Sequence, residues 1–129
     1  MNPLRQTPNQ EPRTAKPTLG IVAISKNEEA DLPGLLDHLL PWVDEIVVVD
    51  DGSTDGTVEL LRAAGPKVKV VEQMRDSARG GFARQRNRGI EEATADWLLH
   101  MDIDERVPPE LADEIREAIA DTDYNGFRY

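Results

Sequence analysis

Short apolar runs alternate with amphipathic stretches along most of this chain, and the alternation strongly limits the folds that it can adopt. The clearest run, EIVVVD at residues 45–50, is rich in β-branched side chains. Three further runs lie at residues 19–24, 68–71 and 97–101. Their nearly continuous hydrophobicity predicts strands that are covered on both faces. Because strands separated by helices favour a parallel arrangement, we predict an α/β fold with a Rossmann-like, mostly parallel sheet and flanking helices.

Helical periodicity fills the intervals between the predicted strands. The predicted helices cover residues 32–40, 58–64 and 82–93, and a fourth opens at Pro108-Pro109. For the third of these helices, we predict that Phe82, Ala83, Ile90 and Ala93 face inward. A further strand is predicted to begin at residues 126–129.

Residues 1–17 differ from the rest of the chain. They are polar, contain four prolines and lack apolar periodicity, which predicts a disordered leader. Residues 18–129 are then expected to form a single domain, since this length is enough for one modest core.

Composition narrows the class of protein. The absence of cysteine excludes disulfides and thiolate metal sites. A net charge of -10 argues against a nucleic-acid partner, whose phosphates require clustered lysine and arginine. No apolar run reaches the roughly 18 residues of a membrane helix, and the N-terminus lacks the apolar segment of an export signal. The sequence therefore predicts a cytoplasmic protein without a transmembrane segment.

Acidic and polar residues follow three of the four predicted strands. The three segments are residues 25–29, 50–53 and 102–105. In parallel α/β sheets, ligands bind at the carboxyl ends of the strands, near the switch in strand order. We therefore expect the three segments to form one site at one edge of the sheet.

The segment Asp102-Ile103-Asp104 predicts a divalent metal site. In an extended segment, residues two apart face the same way, so the two carboxylates can share one cation. Oxygen ligands suit Mg²⁺ or Mn²⁺, which keep positions for the phosphates of a substrate. The alternative is a solvated acidic turn that caps the following helix.

Two further segments predict ligand contacts. Asp51 is predicted to accept hydrogen bonds from a nucleobase N–H or from ribose hydroxyls, with Asp50 as its orienter or as a second contact. Asn27 and Glu28 are expected in the loop above the first strand, near the nucleotide. Turn formation and helix capping by residues 52–57 explain part of this pattern equally well.

The basic and histidine side chains give weaker signals. Arg84 and Arg88 share one helix face and Arg86 points away from it, so only one of them, Arg84 or Arg86, is expected to reach a phosphate. His38 and His100 are predicted to be packed, hydrogen-bonded histidines rather than catalysts.

Taken together and in order, these segments resemble those of family 2 glycosyltransferases, which have the nucleotide-diphospho-sugar transferase (GT-A) fold. The resemblance is carried by ISKNEE at residues 24–29, IVVVDDGSTDGT at residues 46–57, RNRG at residues 86–89 and WLLHMDIDE at residues 97–105. The KNEE and DIDE forms are most similar to the branch that includes lipopolysaccharide core glucosyltransferases.

The resemblance implies a nucleotide-diphospho-sugar donor, with a UDP-sugar favoured, and a saccharide or lipid-linked acceptor. It implies that Asp51 contacts the base or ribose and that Asp102 contacts the ribose or donor sugar. It also implies that Asp104 binds the metal on the diphosphate. It also implies transfer with inversion, by a carboxylate base that deprotonates the acceptor hydroxyl. The family's role in cell envelope polysaccharide synthesis suggests a cytoplasmic position at the inner face of the membrane for the full-length protein.

In this family the general base lies well after the D-x-D segment, and its position is expected beyond Tyr129. The 129 residues are therefore expected to bind the donor without transferring sugar. The alternative is a catalytically silent, truncated nucleotide-binding or interaction module. Nucleotidyltransferases and receiver modules fit less well, because residues 25–29 form neither a glycine-rich phosphate loop nor a receiver's acidic pair.

Overall fold

The computed structural model describes residues 4–6 and 17–120, and all statements below concern these residues. Their strands are β1 (Leu4–Gln6), β2 (Leu19–Ser25), β3 (Glu45–Asp50), β4 (Val68–Glu72) and β5 (Trp97–His100). They form one sheet with the order β1-β5-β2-β3-β4. The four strands β2 to β5 are parallel to one another, whereas β1 pairs antiparallel with β5. The predicted α/β class and mostly parallel sheet are confirmed.

Four α-helices accompany these strands: α1 (Leu32–Leu39), α2 (Thr57–Arg62), α3 (Gly81–Glu92) and α4 (Pro109–Ala120). A short 3-10 turn, Ser77–Arg79, precedes α3. The helix α4 has Pro109 as its first residue, where a missing N–H costs no intrahelical hydrogen bond. None of the helices in the described ranges is long and apolar enough to cross a membrane.

Two apolar layers cover the sheet. The larger layer joins one face of β2, β3 and β5 to α1, α2 and α4, through residues such as Ile21, Leu35 and Ile115. The smaller layer lies under α3 and includes Val22, Val47 and Leu98. Consecutive strand residues therefore enter opposite layers, which explains why the strand sequences are apolar throughout.

The third predicted helix is correct in position, but only two of its four predicted inward residues are correct: Ala93 belongs to the smaller layer and Ile90 packs against it. Phe82 is 54% exposed and Ala83 is also exposed, while Gln85 and Gly89 are buried. The cause is the close approach of α3 to β2, because a Cβ at residue 89 would lie only 2.5 Å from Val22 Cγ1. The hydrophobic pattern underestimates a contact made by a glycine.

Three residues of the predicted leader lie in the sheet. Residues 4–6 form β1, paired through Arg5 and its neighbours with the edge of β5. Backbone hydrogen bonding can form a short strand without an apolar sequence pattern. Residues 1–3 and 7–16 of the predicted leader, and the strand predicted from residue 126, lie outside the described residues.

Candidate active site at the carboxyl edge of the sheet

The three acidic segments meet at one edge of the sheet. Ser25 and Asp50 are register partners at the ends of β2 and β3. The end of β5 lies beside β2 on the other side, where Val22 pairs with His100. The segments that follow β2, β3 and β5 therefore emerge next to one another, as the sequence predicts.

Asp50 holds the centre of this edge together. It is 1% exposed, and its Oδ1 accepts hydrogen bonds from Ser25 Oγ at 2.7 Å and from Ser53 Oγ at 2.6 Å. Its Oδ2 accepts a third hydrogen bond from the Ser53 N–H at 2.8 Å. Since these bonds involve both oxygens, Asp50 fixes the position of the loop after β3.

Asp51 has a different environment. It is 6% exposed, and its Oδ1 accepts a hydrogen bond from the Arg75 N–H at 2.6 Å. Its Oδ2 has two cationic neighbours, Arg75 Nε at 3.7 Å and Lys26 Nζ at 4.0 Å. These cations offset the cost of placing two consecutive carboxylates at a buried strand end.

The loop after β2 is fastened to the loop after β3. Asn27 adopts a left-handed conformation with φ of 53°, and its Oδ1 accepts a hydrogen bond from the Thr54 N–H at 2.8 Å. The Asn27 N–H donates to Ser53 Oγ at 2.8 Å, and the Glu28 N–H donates to the buried Thr57 Oγ1 at 2.9 Å. The Asn27 side chain therefore positions the loop, whereas the Glu28 carboxylate has no comparable contact within the described residues.

Glu28 lies in an excess of negative charge. Partial burial raises the pKa of Glu28 from its usual 4.5, and four neighbouring carboxylates raise this pKa further. In order of effect these belong to Asp31, Asp104, Asp55 and Asp102. The carboxylates after β2, β3 and β5 are thus close enough to repel one another, so a cation would be stabilised among them.

We expect the Glu28→Gln variant to be more stable than the wild type at pH 7. A carboxyl group with a raised pKa binds protons more readily in the folded state, so its ionisation reduces stability at pH values above that pKa. The expected gain is roughly 0.5 kcal/mol, since solvent screens charges at this exposure. Thermal melts from pH 4 to pH 8 should show the gain shrinking as the pH falls. Equal gains at every pH, or the same gain in the exposed control Glu114→Gln, would contradict this account.

The D-x-D segment is a turn rather than an extended strand. β5 ends at His100, and the Glu105 N–H donates to the Asp102 carbonyl at 3.0 Å. The carboxylate of Glu105 in turn accepts a hydrogen bond from the Asp102 N–H at 2.7 Å. The sequence argument from strand alternation is therefore wrong in its geometry. The exposure pattern that it predicts still holds, because Asp102 and Asp104 are exposed and Ile103 is buried.

No group of three histidine or carboxylate side chains within the described ranges is arranged to hold a metal ion. Asp102 and Asp104 nevertheless supply two exposed carboxylates with the hard oxygen atoms that Mg²⁺ and Mn²⁺ prefer. A cation here would need further ligands, and phosphate oxygens or water molecules are the usual ones. The residues present fit a metal that is bound together with a phosphorylated ligand.

The basic residues of α3 divide as follows. Arg88 donates hydrogen bonds to Gln73 Oε1 and to Glu92 Oε1, so it has a structural role. Arg84 and Arg86 are exposed. Arg86 lies near the end of β5, because its charge, after burial, is the second cause that lowers the pKa of His100. Of the two predicted phosphate contacts, Arg86 is thus the one associated with the D-x-D end of the edge.

The two histidines differ. His38 is packed and hydrogen-bonded as predicted, since its Nε2 accepts a hydrogen bond from the Val107 N–H at 2.9 Å. His100 is packed as predicted, but the predicted hydrogen bond is absent, because neither ring nitrogen has a hydrogen-bond partner among the described residues. Strand alternation places His100 on the same face as Leu98, in the apolar layer under α3. Burial is the main cause that lowers the pKa of His100.

Sequence reasoning missed Arg75, Ser25 and Ser53. The two serines lie within the quoted segments, and their importance follows from a buried carboxylate that needs donors. Arg75 lies in a loop without periodicity, and only the fold brings its N–H to Asp51. No local signal identifies it.

The structure is that of an α/β protein whose ligand site lies at the carboxyl ends of parallel strands, where the acidic segments meet. The model of the family described as Glycosyl transferase family 2 matches residues 20–127. The chain belongs to this family, as its sequence segments indicate.

Relatives and solved structures agree with this assignment. An uncharacterized glycosyltransferase, RT0209 of Rickettsia typhi, is 35% identical over 106 residues, which are 82% of this chain and 34% of the relative. The lipopolysaccharide core biosynthesis glycosyltransferase LpsC of Rhizobium meliloti is 33% identical over 105 residues, which are 81% of this chain and 38% of LpsC. The chain therefore spans about a third of the length of these curated relatives.

The crystal structure of S. aureus TarS 1-349 in complex with UDP-GlcNAc shares the fold. Its TM-score is 0.62 at 24% identity, over 79% of this chain and 31% of the TarS chain. The same TarS segment in a second crystal structure gives a TM-score of 0.63.

Proposed function

We propose that this chain binds a nucleotide-diphospho-sugar, with a UDP-sugar favoured, as the donor-binding part of an inverting family 2 glycosyltransferase. The observation that carries the proposal is the meeting of three acidic segments at the carboxyl edge of β2, β3 and β5. Family membership and the fold shared with a TarS structure in complex with UDP-GlcNAc support it.

Each part of the edge has a proposed role. Asp51 accepts hydrogen bonds from the base or the ribose, while Asp50 and Asn27 hold the loops in place around it. Asp102 contacts the ribose or the donor sugar, and Arg86 the diphosphate. Glu28 adds negative charge on the side facing the cation.

We propose that Asp104 and Asp102 would hold a divalent cation, Mg²⁺ or Mn²⁺, together with the diphosphate of the donor. Such a cation would neutralise the charge that develops on the departing diphosphate. The negative charge around Glu28 supports this position, because that carboxyl lies near both aspartates.

Transfer itself is proposed for the complete enzyme. Its acceptor would be a saccharide or a lipid-linked saccharide of the cell envelope, and the relative LpsC, a lipopolysaccharide core biosynthesis glycosyltransferase, supports this class. We propose that the full-length protein acts in the cytoplasm, at the inner face of the membrane, where such acceptors are assembled.

Calorimetric titration of the 129-residue chain tests donor binding. UDP, GDP and their sugars are titrated with and without Mn²⁺, after circular dichroism has established that the chain is folded. Binding of a nucleotide that strengthens with Mn²⁺ is expected. A folded chain that binds no nucleotide in the presence of Mn²⁺ contradicts the proposal.

We expect Asp104→Ala to abolish the effect of Mn²⁺ on UDP affinity. Removing the hydrogen-bond partner of a metal ligand typically lowers metal affinity by roughly tenfold or more. Removing a direct ligand should lower it by at least as much. Affinity measured without metal should stay close to that of the wild type. Asp113→Ala, an exposed aspartate in α4, serves as the matched control. If Asp104→Ala keeps the full Mn²⁺ effect, Asp104 is not a metal ligand.

A further inference from the structure

Arg106 holds the backbone on both sides of Asp104. Its Nη1 atom donates hydrogen bonds to the Ile103 carbonyl at 2.9 Å and to the Glu105 carbonyl at 2.7 Å. Asp104 is the residue between these two carbonyls, and it occupies the third position of the turn that the Glu105 N–H closes on the Asp102 carbonyl. One guanidinium group therefore fixes the peptide units from which the Asp104 side chain projects.

The same guanidinium joins this turn to the loop after β2. Arg106 Nη2 donates to the Asp31 carbonyl at 3.3 Å, immediately before α1. It lies against the start of that helix, since a Cβ at residue 34 would be only 3.1 Å from Nη2. The loop after β2 also carries Glu28, whose carboxyl lies near Asp104. Arg106 thus keeps the D-x-D turn next to the loop that faces it.

The far end of the loop after β5 has its own attachment. The Val107 N–H donates to His38 Nε2 at 2.9 Å, and Val107 is buried in the larger apolar layer. Ile103 is buried in the same layer. These contacts hold the loop against α1 independently of the exposed Arg106 side chain. Removing that side chain should therefore loosen the turn at Asp104 without detaching the loop.

Arg106 supports the turn without neutralising its carboxylates. Its three hydrogen bonds go to backbone carbonyls, and in the part of the chain that the structure describes it forms no ion pair with a carboxylate. Asp102 and Asp104 therefore keep their charge for a cation. Contacts that orient a metal ligand in this way matter for affinity, because their loss typically lowers metal binding by roughly 10- to 100-fold.

We infer that Arg106 is a positioning residue of the proposed metal site, and that it orients the Asp104 carboxylate by binding the carbonyls on either side of it. This inference rests on the proposed function, and it assigns the orientation of the D-x-D segment to a residue outside that segment. A guanidinium suits this task because its N–H groups are fixed in one plane, whereas the ammonium of lysine is a point charge on a flexible stem.

The test uses the Mn²⁺ effect, defined as the ratio of the UDP dissociation constants measured without and with Mn²⁺. In Arg106→Gln this effect should fall roughly tenfold or vanish, while UDP affinity without metal stays close to that of the wild type. Arg106→Lys keeps the charge but loses the planar fork, so its Mn²⁺ effect should fall similarly. If Arg106→Lys keeps the full effect, charge rather than geometry is responsible and the positioning role is wrong.

Arg116→Gln is the matched control. Arg116 also donates to a backbone carbonyl, that of Trp42, and pairs with Asp44 in the loop before β3. Because this loop lies at the opposite edge of the sheet, Arg116→Gln should keep the wild-type Mn²⁺ effect. Equal losses in Arg106→Gln and Arg116→Gln would indicate a general loosening of the fold. A full Mn²⁺ effect in Arg106→Gln would show that Arg106 does not position the metal ligand. Either result overturns the inference and leaves donor binding intact.

Amide hydrogen exchange in the metal-free chain, measured by NMR, reports on the turn itself. In Arg106→Gln the Glu105 N–H should exchange faster than in the wild type. The Val107 N–H, bonded to His38, and the Thr54 N–H, bonded to Asn27, should exchange at wild-type rates. Unchanged exchange at Glu105 contradicts the positioning role.

The wild type separates failure of this inference from failure of the proposed function. A wild type that binds UDP without any Mn²⁺ effect overturns the metal site together with the role of Arg106, while donor binding stands. A folded wild type that binds no nucleotide in the presence of Mn²⁺ overturns the proposed function as well.

Discussion

Replacing Asp50 with alanine is expected to lower the free energy of unfolding by about 3–5 kcal/mol. The change leaves three donors at the buried edge without their acceptor: the Ser25 hydroxyl, the Ser53 hydroxyl and the Ser53 N–H. Donors that lose a charged acceptor in a buried place carry the full cost of desolvation. Because domains of this size have stabilities of about 5–15 kcal/mol, the loss should be evident in urea or thermal unfolding.

Two controls separate this effect from loss of charge. Asp37→Ala removes an exposed carboxylate from α1 and should change stability by less than about 0.5 kcal/mol. Asp50→Asn retains one acceptor oxygen and should fall between the wild type and Asp50→Ala. If Asp50→Ala melts like Asp37→Ala, the hydrogen-bond network does not hold the edge together.

Most of the fold follows from the sequence, because its dominant signal is burial. Runs such as residues 46–49 are apolar at every position, which is the pattern of a strand covered on both faces. Where backbone atoms make the contact, the signal fails. Gly89 packs against Val22 without a side chain, and β1 pairs with β5 through its backbone.

The sequence predicts which residues gather at the site better than it predicts how they are arranged. The acidic segments lie at one edge because parallel strands place their ends together, which the sequence pattern indicates. The different roles of Asp50 and Asp51 depend on neighbours that are distant in sequence. Ser25 is 25 residues from Asp50, and Arg75 is 24 residues from Asp51. The turn at Asp102 forms through the Glu105 carboxylate, an interaction that strand alternation does not anticipate.

Asp51→Asn is expected to weaken UDP binding roughly 100-fold, or about 2.7 kcal/mol. The amide oxygen can still accept the hydrogen bond from the Arg75 N–H, so the loop should keep its position. The amide nitrogen then replaces Oδ2 and presents N–H groups toward the donor groups of the ligand. A site built to accept a hydrogen bond discriminates strongly when that acceptor is lost. Folding stability should change by about 1 kcal/mol or less, since the two cations near Oδ2 are partly solvated.

Ligand analogues show which group Asp51 accepts from. UDP, 2′-deoxy-UDP and 3-methyl-UDP are titrated into the wild type, Asp51→Asn and the exposed control Asp113→Asn. If Asp51 accepts from the base N–H, the wild type should bind 3-methyl-UDP more weakly than UDP, by about the factor that Asp51→Asn costs UDP binding. The Asp51→Asn variant should then bind UDP and 3-methyl-UDP equally. If Asp51 accepts from the ribose, 2′-deoxy-UDP should show that behaviour instead. If Asp51→Asn binds UDP as tightly as the wild type, Asp51 does not contact the donor.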